Sequence, residues 1–112
     1  MAEKPRKVTL SFLPAAQTAL RRIWNWNANR YGENHADRYI AFLIATTEKL
    51  VDDPSVGKPI SKVPTMHYIT IRRSRKGHGH VAVYEIVDGV IQVVDFFHTA
   101  QDWQSKLIDE EP

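Results

Sequence analysis

The residues of this chain best suited to chemistry are its five histidines and a run of cations in its second half. His78-Gly79-His80 is the tightest histidine pair. On a strand, an H-x-H places both rings on one face, an arrangement able to bind a metal ion. Arg73, Arg75 and Lys76 stand beside it and repel a cation. No carboxylate follows until Glu85, so the outer support of a metal site is missing, and no metal site is expected. Ser11 or Ser74 could be grouped with His98 and Asp102, yet no G-x-S-x-G turn exists to present a nucleophile. Gly77 and Gly79 flank a histidine and precede a strand, so they do not form a phosphate-cradling loop. With no cysteine, thiol catalysis, disulfides, iron–sulfur ligation and thiolate zinc sites are excluded. No cofactor is expected either.

Arg72, Arg73, Arg75 and Lys76 can pair with phosphates or carboxylates. From Pro54 to Tyr84 there is no Asp or Glu, while Lys58 and Lys62 add to those cations. The acids gather elsewhere, as at Asp109-Glu110-Glu111. The formal net charge of +2 therefore hides a local positive field suited to nucleic acid or an acidic protein. A solubilising surface with a basic loop is the plainer alternative. His98, at a strand end, could do acid–base work on a nucleotide or serve only as a hydrogen-bonded strand terminus.

Periodicity supplies the elements that must position these groups. Val8 to Phe12 alternates as a short strand. Pro14 suits a first helical turn, and Ala16, Leu20, Ile23 and Asn27 form the buried stripe of a helix from Pro14 to Arg30. Trp24 widens that stripe. Trp26, two residues on, points elsewhere and is expected as an exposed partner anchor or a cover for the sheet edge. Gly32 ends the helix and Asn34 is expected to cap a second. That helix carries Ala36, Ile40, Leu43, Thr47 and Leu50 inward and stops before Pro54. Pro54 to Pro64 reads as a loop.

Strands are expected at His67 to Arg73, His80 to Val87 and Val90 to His98. Asp88-Gly89 signals a two-residue turn, pairing Val87 with Val90, Tyr84 with Val93 and His80 with Phe97. Gln101 to Ile108 reads as a short terminal helix, and Trp103 as a cap on a sheet end. The fold expected is α+β, ordered β-α-α-β-β-β, with a two-helix hairpin packed on a mainly antiparallel sheet. Its 112 residues suit one domain, with residues 1–7 a frayed start. No apolar run reaches the roughly 18 residues that cross a bilayer, and no secretory leader is visible, so a cytoplasmic protein is expected.

Several stretches together resemble ParE-type toxins of the ParE/RelE superfamily. They are Ala19-Leu20-Arg21-Arg22-Ile23-Trp24-Asn25-Trp26, Arg30-Tyr31-Gly32, Ala36-x-x-Tyr39-Ile40 and Leu50-x-x-x-Pro54-x-x-Gly57-Lys58-Pro59. Val83-Tyr84-Glu85-Ile86-x-Asp88-Gly89 and Val93-Val94-Asp95-Phe96-Phe97-His98-x-x-x-Asp102-Trp103 complete the set, covering about Val8 to Leu107. The resemblance implies a toxin of a type II toxin–antitoxin pair. ParE-type members poison DNA gyrase, and RelE-type members cut ribosome-bound messenger RNA. Both are neutralised by a small antitoxin whose C-terminal segment wraps the toxin, and DNA is met only through that antitoxin. Where the family's last strand often carries Arg, this chain has Asp95, which argues against a phosphate grip there.

The reading that follows is a gyrase inhibitor acting by protein contact and neutralised by a ParD-like antitoxin. The antitoxin is expected on Trp24, Trp26, Tyr39, Leu43, Arg72 and Arg73. The alternatives are a remnant that only binds antitoxin, and a metal-free endoribonuclease built from Arg72, Arg73, Arg75, Lys76, Tyr84 and His98.

Overall fold

A computed structural model of the chain describes residues 8–74 and 77–109. Its elements run β1 (Thr9–Phe12), α1 (Pro14–Tyr31), α2 (Glu33–Glu48), two short 3-10 turns, β2 (Lys58–Ile60), β3 (Val63–Ile71), β4 (His80–Val87), β5 (Val90–His98) and α3 (Trp103–Asp109). The five strands lie in the order β1-β5-β4-β3-β2, and only the β1–β5 pair is parallel. The expected α+β architecture is present, with one strand more than expected.

That extra strand lies inside the segment read as a loop. Lys58 pairs with Tyr68 and Pro59 with His67, and β3 begins at Val63 rather than His67. Proline cannot donate to a ladder, which is why such a strand is tolerated only at a sheet edge. At its other end β3 stops at Ile71, so Arg72 and Arg73 lie beyond the strand.

The helical hairpin is tighter than its sequence suggested. Gly32 alone separates α1 from α2, with φ +92° and its N–H donated to the Ala28 carbonyl. Asn34 therefore sits inside the first turn of α2 and caps nothing. Ala16, Ala19 and Ile23 of α1, with Ala36 and Leu43 of α2, are buried. Two polar residues share that face without penalty. Asn27 donates to the Ile23 carbonyl at 2.8 Å and Thr47 to the Leu43 carbonyl at 2.7 Å, which satisfies their buried polar atoms.

The sheet separates two apolar clusters. Ile71, Ala82, Tyr84, Ile91, Val93 and Phe96 face the hairpin. Ile60, Val81, Val83 and Phe97 form a second cluster with Trp103 of α3. Trp103 is thus more than a cap on a sheet end. Its ring stacks on Phe97 with 6.1 Å between centroids and meets Tyr68 edge-on at 4.8 Å.

The Asp88-Gly89 turn forms as expected, with Val87 opposite Val90 and Tyr84 opposite Val93. The expected pairing of His80 with Phe97 does not. Val83 pairs with Asp95, so Val94 is an extra residue, and His80 stands opposite His98. A β-bulge of this kind reverses which side chains of the following stretch face each side of the sheet.

Candidate functional site

Two parts of the fold meet beside this shifted strand end. The first is the closed end of the helical hairpin. Trp26 and Tyr31 are its exposed aromatic residues, at 53% and 58% relative exposure. Their rings meet edge-on at 6.1 Å, and the Arg30 guanidinium lies 4.7 Å from the Trp26 ring. Tyr31 also packs on His35 of α2, at 4.8 Å. The short link through Gly32 brings these residues of separate helices together.

The second part is the open end of the β4–β5 hairpin. There the rings of His78 and His80 each lie 5.3 Å from that of His98. The strand ends are held together past the last pair. The Thr99 N–H donates to the Gly79 carbonyl, and the Gly79 N–H to the Thr99 hydroxyl, both at 3.0 Å. Tyr39 of α2 joins the two parts, its hydroxyl 2.6 Å from His80 Nδ1. The Arg73 guanidinium covers the Tyr39 ring at 5.2 Å and the Phe42 ring at 5.5 Å. Cations over aromatic faces are attracted by the ring quadrupole.

Between the parts lies a cavity of about 700 Å³. Its lining includes Arg22, Trp26 and Tyr31 of α1, His35 and Tyr39 of α2, Arg73, and His78, His80 and His98. No carboxylate lines it among the described residues.

The local chemistry disfavours charge on two of the histidines, His80 and His98. Burial, and then the neighbouring His98, lower the His80 pKa to about 4. Burial and His78 also lower that of His98. Burial raises the Tyr39 phenol above its ordinary value, with Arg73 opposing in part. The phenol therefore stays protonated, and we assign its hydrogen to His80 Nδ1. On His98, Nδ1 accepts the Ala100 N–H at 3.1 Å. Both neutral rings then carry their proton on Nε2 and offer a donor.

The anticipated contact residues divide on this geometry. Trp26, Tyr39 and Arg73 share the cavity wall. Trp24 does not belong to the core stripe. It is half-buried at the edge between the helices, and its indole N–H donates to Asp37 Oδ1 at 2.8 Å. Leu43 is fully buried in the core and is removed from the contact surface. Arg72 is exposed and does not line the cavity.

Of the ribonuclease constellation, Arg73 and His98 come together, while Arg75 and Lys76 lie outside the described residues. Tyr84 is wholly buried beneath the hairpin and donates to the Pro54 carbonyl at 3.0 Å, so it cannot join His98. Asp95 does not line the cavity either. It sits in the bulge, where Oδ1 accepts the Phe96 N–H at 2.8 Å. His80, His35, Tyr31 and Arg22 were not singled out as candidate site residues from the sequence. His80 was weighed only as half of an H-x-H metal pair, and among the described residues no three metal-ligating groups are placed to hold an ion.

Known proteins share this architecture. A solved structure of the chromosomal ParDE toxin–antitoxin system of P. aeruginosa superposes with a TM-score of 0.69 and 16% identity, over 80% of this chain and 94% of that one. The intact RelBE toxin–antitoxin complex of E. coli gives 0.51 and 19% identity, over 80% and 93%. At those identities the likeness concerns the fold. In sequence, the ParE1 toxin of Mycobacterium tuberculosis, from each of two strains, is 26% identical over 95 residues, or 84% of this chain and 92% of the toxin. The family model of the ParE toxin of the type II parDE toxin–antitoxin system matches residues 10–103, most of the chain, which therefore belongs to the ParE family of type II toxins.

Proposed function

We propose that this toxin acts by protein contact on DNA gyrase and is held inactive by a ParD-like antitoxin seated across the closed end of the helical hairpin. The observation that carries the antitoxin surface is the exposed pair Trp26 and Tyr31, continuous with a cavity bearing Arg22 and Arg73 and no carboxylate. Large amphipathic aromatics beside arginine are the residue types that dominate binding energy at protein interfaces. An acidic, partly apolar antitoxin tail complements such a surface and would order on binding. Family membership supports gyrase as the target. The reading requires neither cofactor nor metal.

Binding of purified antitoxin, measured calorimetrically, tests the surface. Trp26→Ala is expected to weaken binding by about 2 kcal/mol, roughly thirtyfold, as hot-spot truncations do, with thermal stability little changed. Unchanged affinity in that variant removes the anchor.

A second reading has one observation in its favour. Arg73 and His98 share a cavity with three more imidazoles, as a metal-free ribonuclease would need. Against it stand the burial of Tyr84 and the neutral state of the rings, since one imidazolium must serve as the acid. Supercoiling by gyrase and cleavage of ribosome-bound message, run in parallel on one preparation, separate the two. We expect inhibition of supercoiling without cleavage. Codon-dependent cuts abolished in His98→Ala, with supercoiling intact, would reverse that assignment.

A further inference from the structure

Among the described residues the cavity brings charge-bearing donors together from every element around it and gives them no counter-charge. Arg22 faces it from α1, and His35 and Tyr39 from α2. Arg73 follows β3, His78 precedes β4, and His80 and His98 close β4 and β5. Tyr31, at the end of α1, completes the titratable lining. With the rings of His78 and His80 each in contact with that of His98, a proton placed on one is repelled by charge on its neighbour. A carboxylate seated among them reverses that balance, because each imidazolium then gains an opposite charge at hydrogen-bonding distance.

We propose that this cavity is an anion site that receives a carboxylate side chain from the acidic tail of the antitoxin. His80 and His98 are its donors and Arg73 its fixed charge, and seating the carboxylate draws a proton onto the histidine cluster. This rests on the antitoxin partnership proposed above. A peptide fits the rim better than a nucleotide does. Tyr31 packs on both Trp26, at 6.1 Å, and His35, at 4.8 Å, so these rings already serve one another as aromatic partners. Trp26 instead offers an exposed face for an apolar neighbour of the acidic residue.

The sign of the linkage is fixed. In the free fold His80 and His98 are both lowered and so are neutral near pH 7, and the occupied cluster holds a proton more readily. Affinity therefore rises as pH falls and is lost as pH rises through the occupied-state pKa. One linked proton changes Kd about tenfold per pH unit within that window.

The test is calorimetry of the full chain with its purified cognate antitoxin at pH 6, 7 and 8, in two buffers of different ionisation enthalpy. The wild type should take up protons on binding and tighten about tenfold or more from pH 8 to pH 6. In His80→Gln and His98→Gln the amide nitrogen replaces the Nε2 donor but cannot titrate, so binding should persist at pH 8 and lose its pH slope. Arg73→Gln should weaken binding at every pH and keep the slope. The wild-type proton count needs no variant to fold. A complex that forms with no proton uptake and a pH-independent Kd overturns this site and leaves the antitoxin partnership standing. No complex at any pH overturns both. Adenosine monophosphate or inorganic phosphate that binds the cavity and is not displaced by antitoxin overturns the carboxylate as occupant.

Discussion

The two ends of the β4–β5 hairpin obey different rules. At the turn end, Asp88 and Gly89 both hold positive φ, 51° and 78°, and the pairs from Val87↔Val90 to Tyr84↔Val93 follow in regular order. Turn chemistry alone sets that register. At the open end, burial overrides it. Strict alternation beyond Val93 would point Asp95 toward the helices, into a cluster containing Leu43, Ile71 and Ala82. An ionised carboxylate there costs several kcal/mol unless paired. Accommodating Val94 as an extra residue turns Asp95 away, brings Phe96 to the helix face and leaves Phe97 for Trp103. The same slip carries His98 to the face of His80. A packing constraint thus assembles the histidine cluster.

The sharpest way to break this comparison uses the two glycines that bound the hairpin. A Cβ on Gly79 would lie 2.1 Å from the Ile71 carbonyl oxygen, a backbone atom with little room to yield. Gly79→Ala is expected to cost about 3 kcal/mol, the upper part of the overpacking range, and to loosen His78 and His80 with it. A Cβ on Gly89 meets nothing within 4 Å, so Gly89→Ala faces only the left-handed strain of φ +78°, about 1–2 kcal/mol. Chemical denaturation of both variants measures the difference. Equal losses at the two positions would contradict a crowded open end and a spacious turn.

Deleting Val94 sharpens the comparison instead. Removal of the extra residue leaves every pair from Val83↔Asp95 to His80↔His98 available in an unbroken ladder. The deletion should therefore fold, at about 1 kcal/mol for the half-buried valine, where deletions inside strands ordinarily reverse every side chain beyond them. Nuclear Overhauser contacts between the His80 and His98 rings should survive. Their loss would mean that the bulge does more than keep Asp95 out of the core.

These same residues mark how far the sequence could be read. The helical hairpin was legible because its stripes span several turns, and the β4–β5 turn because Asp-Gly specifies its geometry locally. The His80–His98 pairing was not, because it depends on where Asp95 would fall relative to helices distant in sequence. Leu43 was placed both in the inward stripe and on the antitoxin surface, and its complete burial leaves only the first. Trp24 was taken for core although its indole nitrogen needs a partner, which Asp37 supplies from the other helix. The edge strand Lys58–Ile60 was hidden by Pro59, a residue that reads as loop until the edge position is known.

The smallest expected effect is the pH dependence of folding, and it too distinguishes the two ends. In the unfolded chain His80 titrates near its ordinary value of 6.5, and in the fold near 4. Between those values the unfolded state binds more protons, so stability is full above about pH 6.5 and declines as pH falls toward 4. His98, lowered for related reasons, acts in the same direction. Each linked proton gives at most about 1.4 kcal/mol per pH unit, and solvent reaching these partly exposed rings shrinks the pKa difference itself, and with it the total change, to about 1 kcal/mol. No histidine lies at the turn end. Thermal unfolding of the free toxin from pH 4 to pH 7 should show the decline, and His80→Gln should flatten most of it. A slope unchanged in that variant would place the proton uptake elsewhere. The slope also has a counterpart in binding. The charge that the free fold resists is the charge a seated carboxylate would favour, so antitoxin should raise the melting temperature more at pH 6 than at pH 8.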